Sequence, residues 1–319
     1  MNVFVDYAQR SDVAAMKIAG MTVAERVLRE AAKAGASRAV IRAERLPPLP
    51  ALPIDIECIG PAAPPPTDAT PIRGDVIAGV TISDEATRRR ARSALLQSLR
   101  RPHDGLADRY VIRAMSVRLT GLVARVATPN QITFINIVVG FAACAMAAAG
   151  WFALAGALMI LQLVLDSVDG ELARLRFMHS KFGMALDNIS DDIIDNLFIA
   201  MLGVGIGGIW APIGIACGIA RGLSAVMIHI DVARAGKLGD VLAFKWWFDS
   251  ADAELTEVFE HDTSPLGIAR AFGRRDLYGL VFGVSCLIGL PLIALGLAIA
   301  ISVAYFALAI IHIAVTARH

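Results

Sequence analysis

Several carboxylates lie close together in an otherwise apolar part of the sequence. Residues 166–195 read DSVDGELARLRFMHSKFGMALDNISDDIID. Asp166 and Asp169 are three residues apart and Asp187 and Asp191 are four apart, so each pair lies on one face of a helix. An ionised carboxylate within a membrane helix costs at least ~2.5–3.5 kcal/mol on insertion scales, so these four require a compensating partner.

The two pairs are expected to form one site. They lie on two helices joined by a short basic loop, and antiparallel helices would bring them together. Four facing carboxylates repel one another unless they are protonated or bridged by cations, and hard divalent cations prefer all-oxygen sites. Two-metal sites of this kind serve phosphoryl and phosphodiester chemistry. The pattern therefore predicts a divalent-cation site that acts on phosphate groups.

Small residues accompany the carboxylates. Gly170 and Gly183 leave the backbone bare, and Ala173 leaves space one turn after Asp169, so a nucleotide could approach closely. Each small residue taken alone is equally compatible with helix–helix packing.

The remaining sequence supplies the helices that must position these residues. The chain has 319 residues and is 56% hydrophobic, against about 45–50% for ordinary soluble domains. A spanning helix needs about 20 mostly apolar residues. Six candidates are present, at about 131–150, 151–174, 184–207 and 211–234, and two within 276–315, where Gly289-Leu290-Pro291 divides the run.

Lys and Arg placement predicts the orientation of these helices. The connections near residues 150, 210 and 291 carry no charge, whereas the connections on the other side are basic. Basic loops face the cytoplasm, so both termini and the acidic site are expected on the cytoplasmic side of the inner membrane. The formal charge of +1 gives no indication of a polyanionic partner, and no nucleic acid is predicted.

The first third of the chain differs in composition. Residues 108–126 combine apolar positions at helical spacing with four arginines, which predicts a helix in the membrane interface; a soluble amphipathic helix is the alternative. Residues 1–100 predict a helix at 24–34, strands at 37–42 and 75–82, and a helix at 84–99 capped by Ser83, around a loose proline-rich middle at 46–71. The N-terminus lacks the pattern of a signal peptide, so this region is expected in the cytosol.

These observations predict an all-α polytopic membrane domain of six transmembrane helices, preceded by a small cytoplasmic α/β domain. The boundaries are 1–100 for the α/β domain, 101–127 for a linker and interfacial helix, and 128–319 for the membrane domain. The four cysteines form no C-x-x-C pair, and they are expected to be small buried side chains without disulfides.

The acidic segment resembles the signature of the CDP-alcohol phosphotransferase (CDP-alcohol phosphatidyltransferase) family. The matching order is Asp166-x-x-Asp169-Gly170-x-x-Ala173-Arg174, then eight residues, then Gly183-x-x-x-Asp187-x-x-x-Asp191. The resemblance extends from about residue 99 to the C-terminus. It includes Thr128-Pro129-Asn130-Gln131-Ile132-Thr133, which looks like the family's entry motif.

The resemblance implies a transferase that releases CMP. It implies two divalent cations, Mg²⁺ or Mn²⁺, held by Asp166, Asp169, Asp187 and Asp191, with Asp191 as the general base. It implies that the donor's cytidine diphosphate lies beside the metal ligands Asp166 and Asp169 and beside Gly170, Ala173, Arg174, Gly183, Asn130 and Thr133. It also implies a homodimer in the lipid bilayer.

A closer resemblance concerns the second substrate. Residues 99–116, Trp246-Trp247 and Arg274-Arg275-Asp276 look like the subgroup that includes di-myo-inositol-phosphate-phosphate synthases. In that subgroup a cytidylyltransferase-like domain often precedes the membrane domain, and residues 23–41 and 75–100 resemble parts of it. Because the glycine-rich nucleotide loop is absent, the N-terminal domain is expected to be a degenerate, inactive remnant.

The acceptor site is less evident in the sequence. Candidate acceptor-binding residues are Arg221, Arg274, Arg275 and Asp195, since an anionic acceptor such as a polyol phosphate needs cationic groups. Ion pairing with the acidic cluster is the alternative for Arg221, topology setting for Arg274 and Arg275, and structural hydrogen bonding for Asp195. His229 is expected to be a packed or interfacial histidine.

Two versions of the transfer remain open, one with CDP-diacylglycerol as donor and a phospholipid product, the other with a CDP-polyol donor. In the CDP-polyol version the acceptor is a polyol phosphate or a lipid hydroxyl. A cation-coupled transporter is the alternative from another class, because intramembrane acids also mark ion paths. It does not explain the fixed Gly and Ala positions.

Overall fold

The computed structural model describes residues 1–99, 107–237, 241–247 and 274–316. The chain divides into two compact units. The first contains the N-terminal region together with Gly121–Ala127 and Leu172–Met178, and the second contains most of the long helices.

The first unit is a small α/β structure around a parallel four-stranded sheet. Its elements are β1 (Asn2–Asp6), α1 (Ser11–Ala15), β2 (Lys17–Ile18), β3 (Met21–Thr22), α2 (Val23–Lys33), β4 (Arg38–Arg42), β5 (Asp55–Ile59), β6 (Thr70–Ile72), β7 (Val76–Ile77), β8 (Val80–Thr81) and α3 (Glu85–Gln97). The main sheet has the order β5-β4-β1-β6, and all its pairings are parallel. The central strands β1 and β4 are apolar and buried, as expected for strands inside a parallel sheet.

The predicted elements of this unit are confirmed in part. Helix α2 and strand β4 lie within a residue of their predicted bounds. The single strand predicted at 75–82 is wrong, because Ala78 and Gly79 both have positive φ and turn the segment into the β7–β8 hairpin. Helix α3 is capped by Asp84 rather than Ser83, since the Asp84 carboxylate accepts from the Thr87 N–H.

The proline-rich middle is more ordered than its composition indicates. It contains strands β5 and β6, which were not predicted. Pro71 is tolerated within β6 because β6 is an edge strand, where a missing backbone N–H leaves no ladder bond unmade.

The second unit is helical. A π-helical turn at Asp108–Ile112 leads into α4 (Arg113–Val123), followed by α5 (Pro129–Ala148), α6 (Phe152–Leu175), α7 (Lys181–Ile206), α8 (Trp210–Arg234), a 3-10 turn at Val241–Ala243, α9 (Arg275–Leu287) and α10 (Pro291–Thr316). At the start of α5 the Gln131 side-chain oxygen accepts from the Thr128 N–H at 2.9 Å, and the Ser180 hydroxyl caps α7 by accepting from the Gly183 N–H. The predicted break between the last two helices is confirmed: Gly289 has φ 79° and Pro291 begins α10.

Four of these helices are long and apolar enough to cross a membrane, namely α5, α6, α8 and α10. They indicate a membrane protein. The predicted number of six is not confirmed. Helix α7 is long enough but carries acidic residues along its first half. Helix α9 has 13 residues, a length of about 20 Å, which is shorter than the ~30 Å hydrocarbon core.

Close backbone contacts hold the helices together. A Cβ atom added at Gly156 on α6 would lie 2.3 Å from the Gly283 carbonyl oxygen and 2.5 Å from the Leu287 nitrogen, both on α9. Small residues let helix backbones approach in this way. The contact therefore depends on glycine at this position.

Replacing Gly156 with alanine is expected to lower the midpoint of thermal unfolding in detergent by several degrees. Gly→Ala inside a helix ordinarily stabilises by up to about 1 kcal/mol, but here the methyl group forces α6 and α9 apart. Gly296→Ala on α10 is the matched control, because no atom lies within 4 Å of its added Cβ. Equal unfolding midpoints for the two variants would contradict the close contact.

Candidate active site

Three aspartates from two helices face one another. Asp166 and Asp169 on α6 and Asp187 on α7 each offer one carboxylate oxygen within 4.8 Å of the others. Asp169 is buried, whereas Asp166 and Asp187 are partly exposed. The predicted meeting of the acidic segments of α6 and α7 is therefore present for three of the four aspartates.

Residues of the first turn and a half of α5 lie beside this cluster. The Thr133 hydroxyl donates to the Asp169 carboxylate at 2.7 Å and fixes its orientation. A Cβ added at Gly183 would lie 2.8 Å from the Ser180 hydroxyl and 3.4 Å from the Asn130 side-chain oxygen. Thr133 thus contacts the aspartate cluster directly, and Asn130 lies beside Gly183 at the start of α7.

Asp191 has a different environment from the other three. Its carboxylate accepts from the Gln162 amide at 3.1 Å and from the Arg275 guanidinium at 2.6 Å. The same Arg275 nitrogen lies 3.1 Å from Asp166. Arg275 therefore joins Asp191 to the aspartate cluster by charge pairing.

A second buried network lies behind Asp191. Asp195 is fully buried and accepts from the Tyr278 hydroxyl at 2.6 Å and from Arg275 at 3.2 Å. Arg221 donates to the same Tyr278 hydroxyl, and its guanidinium stacks over the Tyr278 ring at 4.5 Å and the Tyr305 ring at 5.5 Å. Two arginines and a buried carboxylate thus converge next to Asp191.

The other predicted site residues fall in two places. Gly170, Ala173 and Arg174 lie on the last two turns of α6, directly after Asp169. Arg274 is the N-cap residue of α9, and its guanidinium pairs with Asp276 at 3.2 Å.

Several residues at the site were not singled out from the sequence. Gln162 is one turn before Asp166 on α6 and is fully buried; an amide side chain in an otherwise apolar run was the sequence signal for it. Tyr278 had no such signal, because a tyrosine in an apolar run is usual. Glu171 is buried and accepts from the hydroxyls of Ser116 at 2.8 Å and Thr120 at 2.7 Å, which ties α4 to α6.

His229 was expected to be a packed or interfacial histidine. Its ring nitrogen lies 2.8 Å from the Asp192 carboxylate, which links α8 to α7. His229 is therefore a polar residue with a charged partner, and that partner, Asp192, directly follows Asp191 in α7.

The donor set fits a hard divalent cation. Asp166, Asp169 and Asp187 supply only carboxylate oxygens, the ligands that Mg²⁺ and Mn²⁺ prefer, and their spacing allows one ion to contact all three. Three clustered carboxylates in a partly buried site also repel one another, so a bound cation would relieve their repulsion.

Comparison with known proteins agrees with the site. Residues 126–317, more than half of the chain, match the sequence profile of the CDP-alcohol phosphatidyltransferase family. A bifunctional IPC transferase and DIPP synthase of Thermococcus kodakarensis is 34% identical over 118 residues, covering 37% of this chain and 27% of the relative. The protein of the same description from Archaeoglobus fulgidus is 35% identical over 118 residues, covering 37% and 24%.

A shorter relative is covered more completely. The archaetidylinositol phosphate synthase of Methanothermobacter thermautotrophicus is 31% identical over 141 residues, covering 44% of this chain and 62% of the relative. The chain thus matches only about a quarter of the length of the two bifunctional relatives. The extent of the profile match, together with the aspartate geometry, shows that the chain belongs to the CDP-alcohol phosphatidyltransferase family.

Proposed function

We propose that the protein transfers a substituted phosphoryl group from a CDP-alcohol to an acceptor hydroxyl and releases CMP. The observation that carries this proposal is the convergence of Asp166, Asp169 and Asp187, the aspartates of the family signature, beside Asp191. Bound divalent cations would polarise the donor diphosphate and hold its developing negative charge.

In this proposal Asp166, Asp169 and Asp187 would hold two divalent cations, with Asp191 as a further ligand. The cytidine diphosphate of the donor lies along the end of α6, beside Gly170, Ala173 and Arg174. We also assign Asn130, Thr133 and Gly183 to the donor site, as the family resemblance implies. The hydrogen bond from Thr133 to Asp169 supports this assignment.

Asp191 acts as the general base. The acceptor hydroxyl oxygen attacks the phosphorus remote from cytidine, a new P–O bond forms, the P–O bond of the diphosphate to CMP breaks, and the hydroxyl proton passes to the Asp191 carboxylate. An arginine-paired carboxylate is a weak base, and Arg275 lies 2.6 Å from Asp191. An anionic acceptor would draw Arg275 to itself and leave Asp191 free to accept the proton.

The acceptor is a polyol phosphate in our proposal. Arg221 and Arg275 supply the charge that such a phosphate needs, and Asp195 with Tyr278 orients both arginines. Arg274, paired with Asp276 at the start of α9, lies next to this group in sequence. One relative's name includes inositol phosphate, which supports an anionic acceptor. CDP-diacylglycerol and a CDP-polyol are both candidate donors, and the experiment below compares them.

We further propose the membrane arrangement. Helix α7 is a fifth span beside α5, α6, α8 and α10, and α9 is the sixth membrane helix, although its described 13 residues do not cross the core by themselves. Helix α4 lies in the cytoplasmic interface of the inner membrane. Tyr110, Met115 and Leu122 are exposed apolar residues on and before α4, which supports contact with lipid. Both termini and the active site face the cytoplasm, and the protein is a homodimer.

The direct test is CMP release by the purified protein with Mn²⁺. CDP-diacylglycerol and CDP-inositol are each offered with inositol phosphate, inositol and glycerol phosphate as acceptors. Metal-dependent CMP release with a phosphorylated acceptor is the expected result. No metal-dependent CMP from any pair would contradict the enzyme assignment, and release with unphosphorylated acceptors alone would contradict the role of the arginines.

We propose that the N-terminal region is not an active nucleotidyltransferase. In open parallel sheets, ligands bind at the carboxyl ends of the strands where the strand order reverses. Here that point is between β1 and β6, and it is filled by Tyr7, whose hydroxyl donates to the Gly74 carbonyl at 2.8 Å. A Cβ on Gly74 would lie 2.6 Å from Val5 and 2.7 Å from Tyr7, so little room remains.

Incubation of the whole protein with CTP, Mg²⁺ and inositol phosphate is therefore expected to release no pyrophosphate above an enzyme-free control. A coupled pyrophosphate assay measures it, with an active cytidylyltransferase as the positive control. Turnover of CTP would overturn the assignment of a degenerate domain.

A further inference from the structure

The end of α6 has an unusual cap. The Met178 N–H bonds to the Ala173 carbonyl at 2.9 Å and the Phe177 N–H bonds to the Arg174 carbonyl at 3.4 Å, the two bonds of a Schellman motif. Such a cap places one residue in the left-handed region, where glycine is favoured. Here that residue is Phe177, with φ 54°, so the cap needs support from outside the helix.

Arg26 on α2 supplies that support. Its side chain is buried, with 1% of the residue exposed. The guanidinium donates to the Leu175 carbonyl at 3.0 Å and lies 5.7 Å from the centre of the Phe177 ring. The Leu175 carbonyl is among the last four of the helix, which lack intrahelical partners, and a cation is favourable at this end of a helix. The Arg26 side chain therefore provides a hydrogen-bond donor for one carbonyl of the final turn and also contacts the ring of Phe177.

These contacts lie within one compact unit, which contains both the N-terminal region and Leu172–Met178. Burial lowers the pKa of the Arg26 guanidinium, and Glu30 and Glu25 oppose this shift. An apolar side chain would fill the same space without the cost of desolvating a charge. The hydrogen bond from Arg26 to the Leu175 carbonyl is thus what an apolar residue at position 26 could not provide.

The helix end that Arg26 holds also carries site residues. Leu175 follows Asp169 by six residues, or about 9 Å along the helix. Arg174 and Ala173 lie in the capped turn itself, and Gly170 lies one turn earlier. Fraying or rotation of this turn would displace the residues assigned to the donor nucleotide.

We propose that Arg26 is a positioning residue for the donor site: the inactive N-terminal region keeps the last turn of α6 in the conformation that binds the cytidine diphosphate. The inference rests on the proposed function for the roles of Gly170, Ala173 and Arg174. It assigns a task to the N-terminal region that requires no catalysis by that region.

The test measures Mn²⁺-dependent CDP binding to the full-length protein by titration calorimetry, which needs no turnover. Arg26→Ala is expected to weaken CDP binding by about tenfold, the lower end of the effect of removing a partner that orients a metal ligand. Arg29→Ala is the matched control, since Arg29 is on the same helix and pairs with Glu25 at 3.0 Å. Arg29→Ala is expected to bind CDP as the wild type does.

A double-variant cycle separates positioning from simple stabilisation. Phe177→Gly removes the strain and the ring, so Arg26→Ala in that background is expected to weaken CDP binding less than it does alone. Arg26→Lys keeps the charge without the planar group and is expected to bind CDP measurably more weakly; it replaces Arg26→Ala if that variant does not fold.

The outcomes distinguish the two proposals. Wild-type protein that binds no CDP with Mn²⁺ would contradict the proposed function. Wild-type protein that binds CDP, with Arg26→Ala and Arg26→Lys binding equally well, would overturn the positioning role and leave the proposed function standing.

Discussion

Asp191→Asn is expected to reduce the rate of CMP release by about 10²–10⁴-fold, the contribution of a general base. Asparagine has the same size but cannot accept the proton of the acceptor hydroxyl. The site tolerates the amide because the Gln162 side chain can rotate and accept from it. The Gln162 side-chain oxygen has no hydrogen-bond partner within the described part of the chain. CDP binding should therefore stay within a few-fold of wild type while turnover is lost.

Single-turnover CMP release and CDP titration on the same preparation measure the two effects separately. Asp231→Asn is the matched control, because Asp231 is also on a long helix but pairs with His312 and Arg234. It is expected to retain turnover. Wild-type rates in Asp191→Asn would remove Asp191 as the base and leave the proton acceptor to be sought among the other carboxylates.

Asp169→Asn is expected to abolish Mn²⁺-dependent CMP release and to raise the stability of the metal-free protein. Asparagine still accepts from Thr133, so the local packing is retained. One of three mutually repelling carboxylates becomes neutral, which relieves repulsion when no cation is bound. The same change removes a ligand, so the stabilisation by Mn²⁺ should be lost.

Thermal unfolding in EDTA and in excess Mn²⁺ measures both effects. Wild-type protein should gain about 2.7 kcal/mol at a hundredfold excess of ion over its dissociation constant, and Asp169→Asn should gain almost none. In EDTA the variant should unfold at a higher temperature than the wild type. Equal gains from Mn²⁺ in both proteins would show that Asp169 is not a ligand.

Much of the site could be predicted because it depends on local geometry. Residues three or four apart share a helix face, so spacing alone places Asp166 with Asp169 on one face of α6 and Asp187 with Asp191 on one face of α7. The break before Pro291 and the start of α5 follow from equally local signals. The predicted strand at 75–82 failed for the complementary reason, because two residues with positive φ override an apolar pattern.

The sequence by itself indicated the family, the apolar character of the helices and the meeting of Asp166 and Asp169 with Asp187, but it placed Asp191 in the same cluster, where the structure pairs it with Gln162 and Arg275. The tertiary structure alone decided what surrounds these carboxylates: Arg275 and Tyr278 reach Asp191 and Asp195 across more than 80 positions of sequence, and Arg26 reaches Leu175 across 149. Such pairs depend on how helices and strands pack and on which buried charges need partners. Neither is encoded in the periodicity of a single segment.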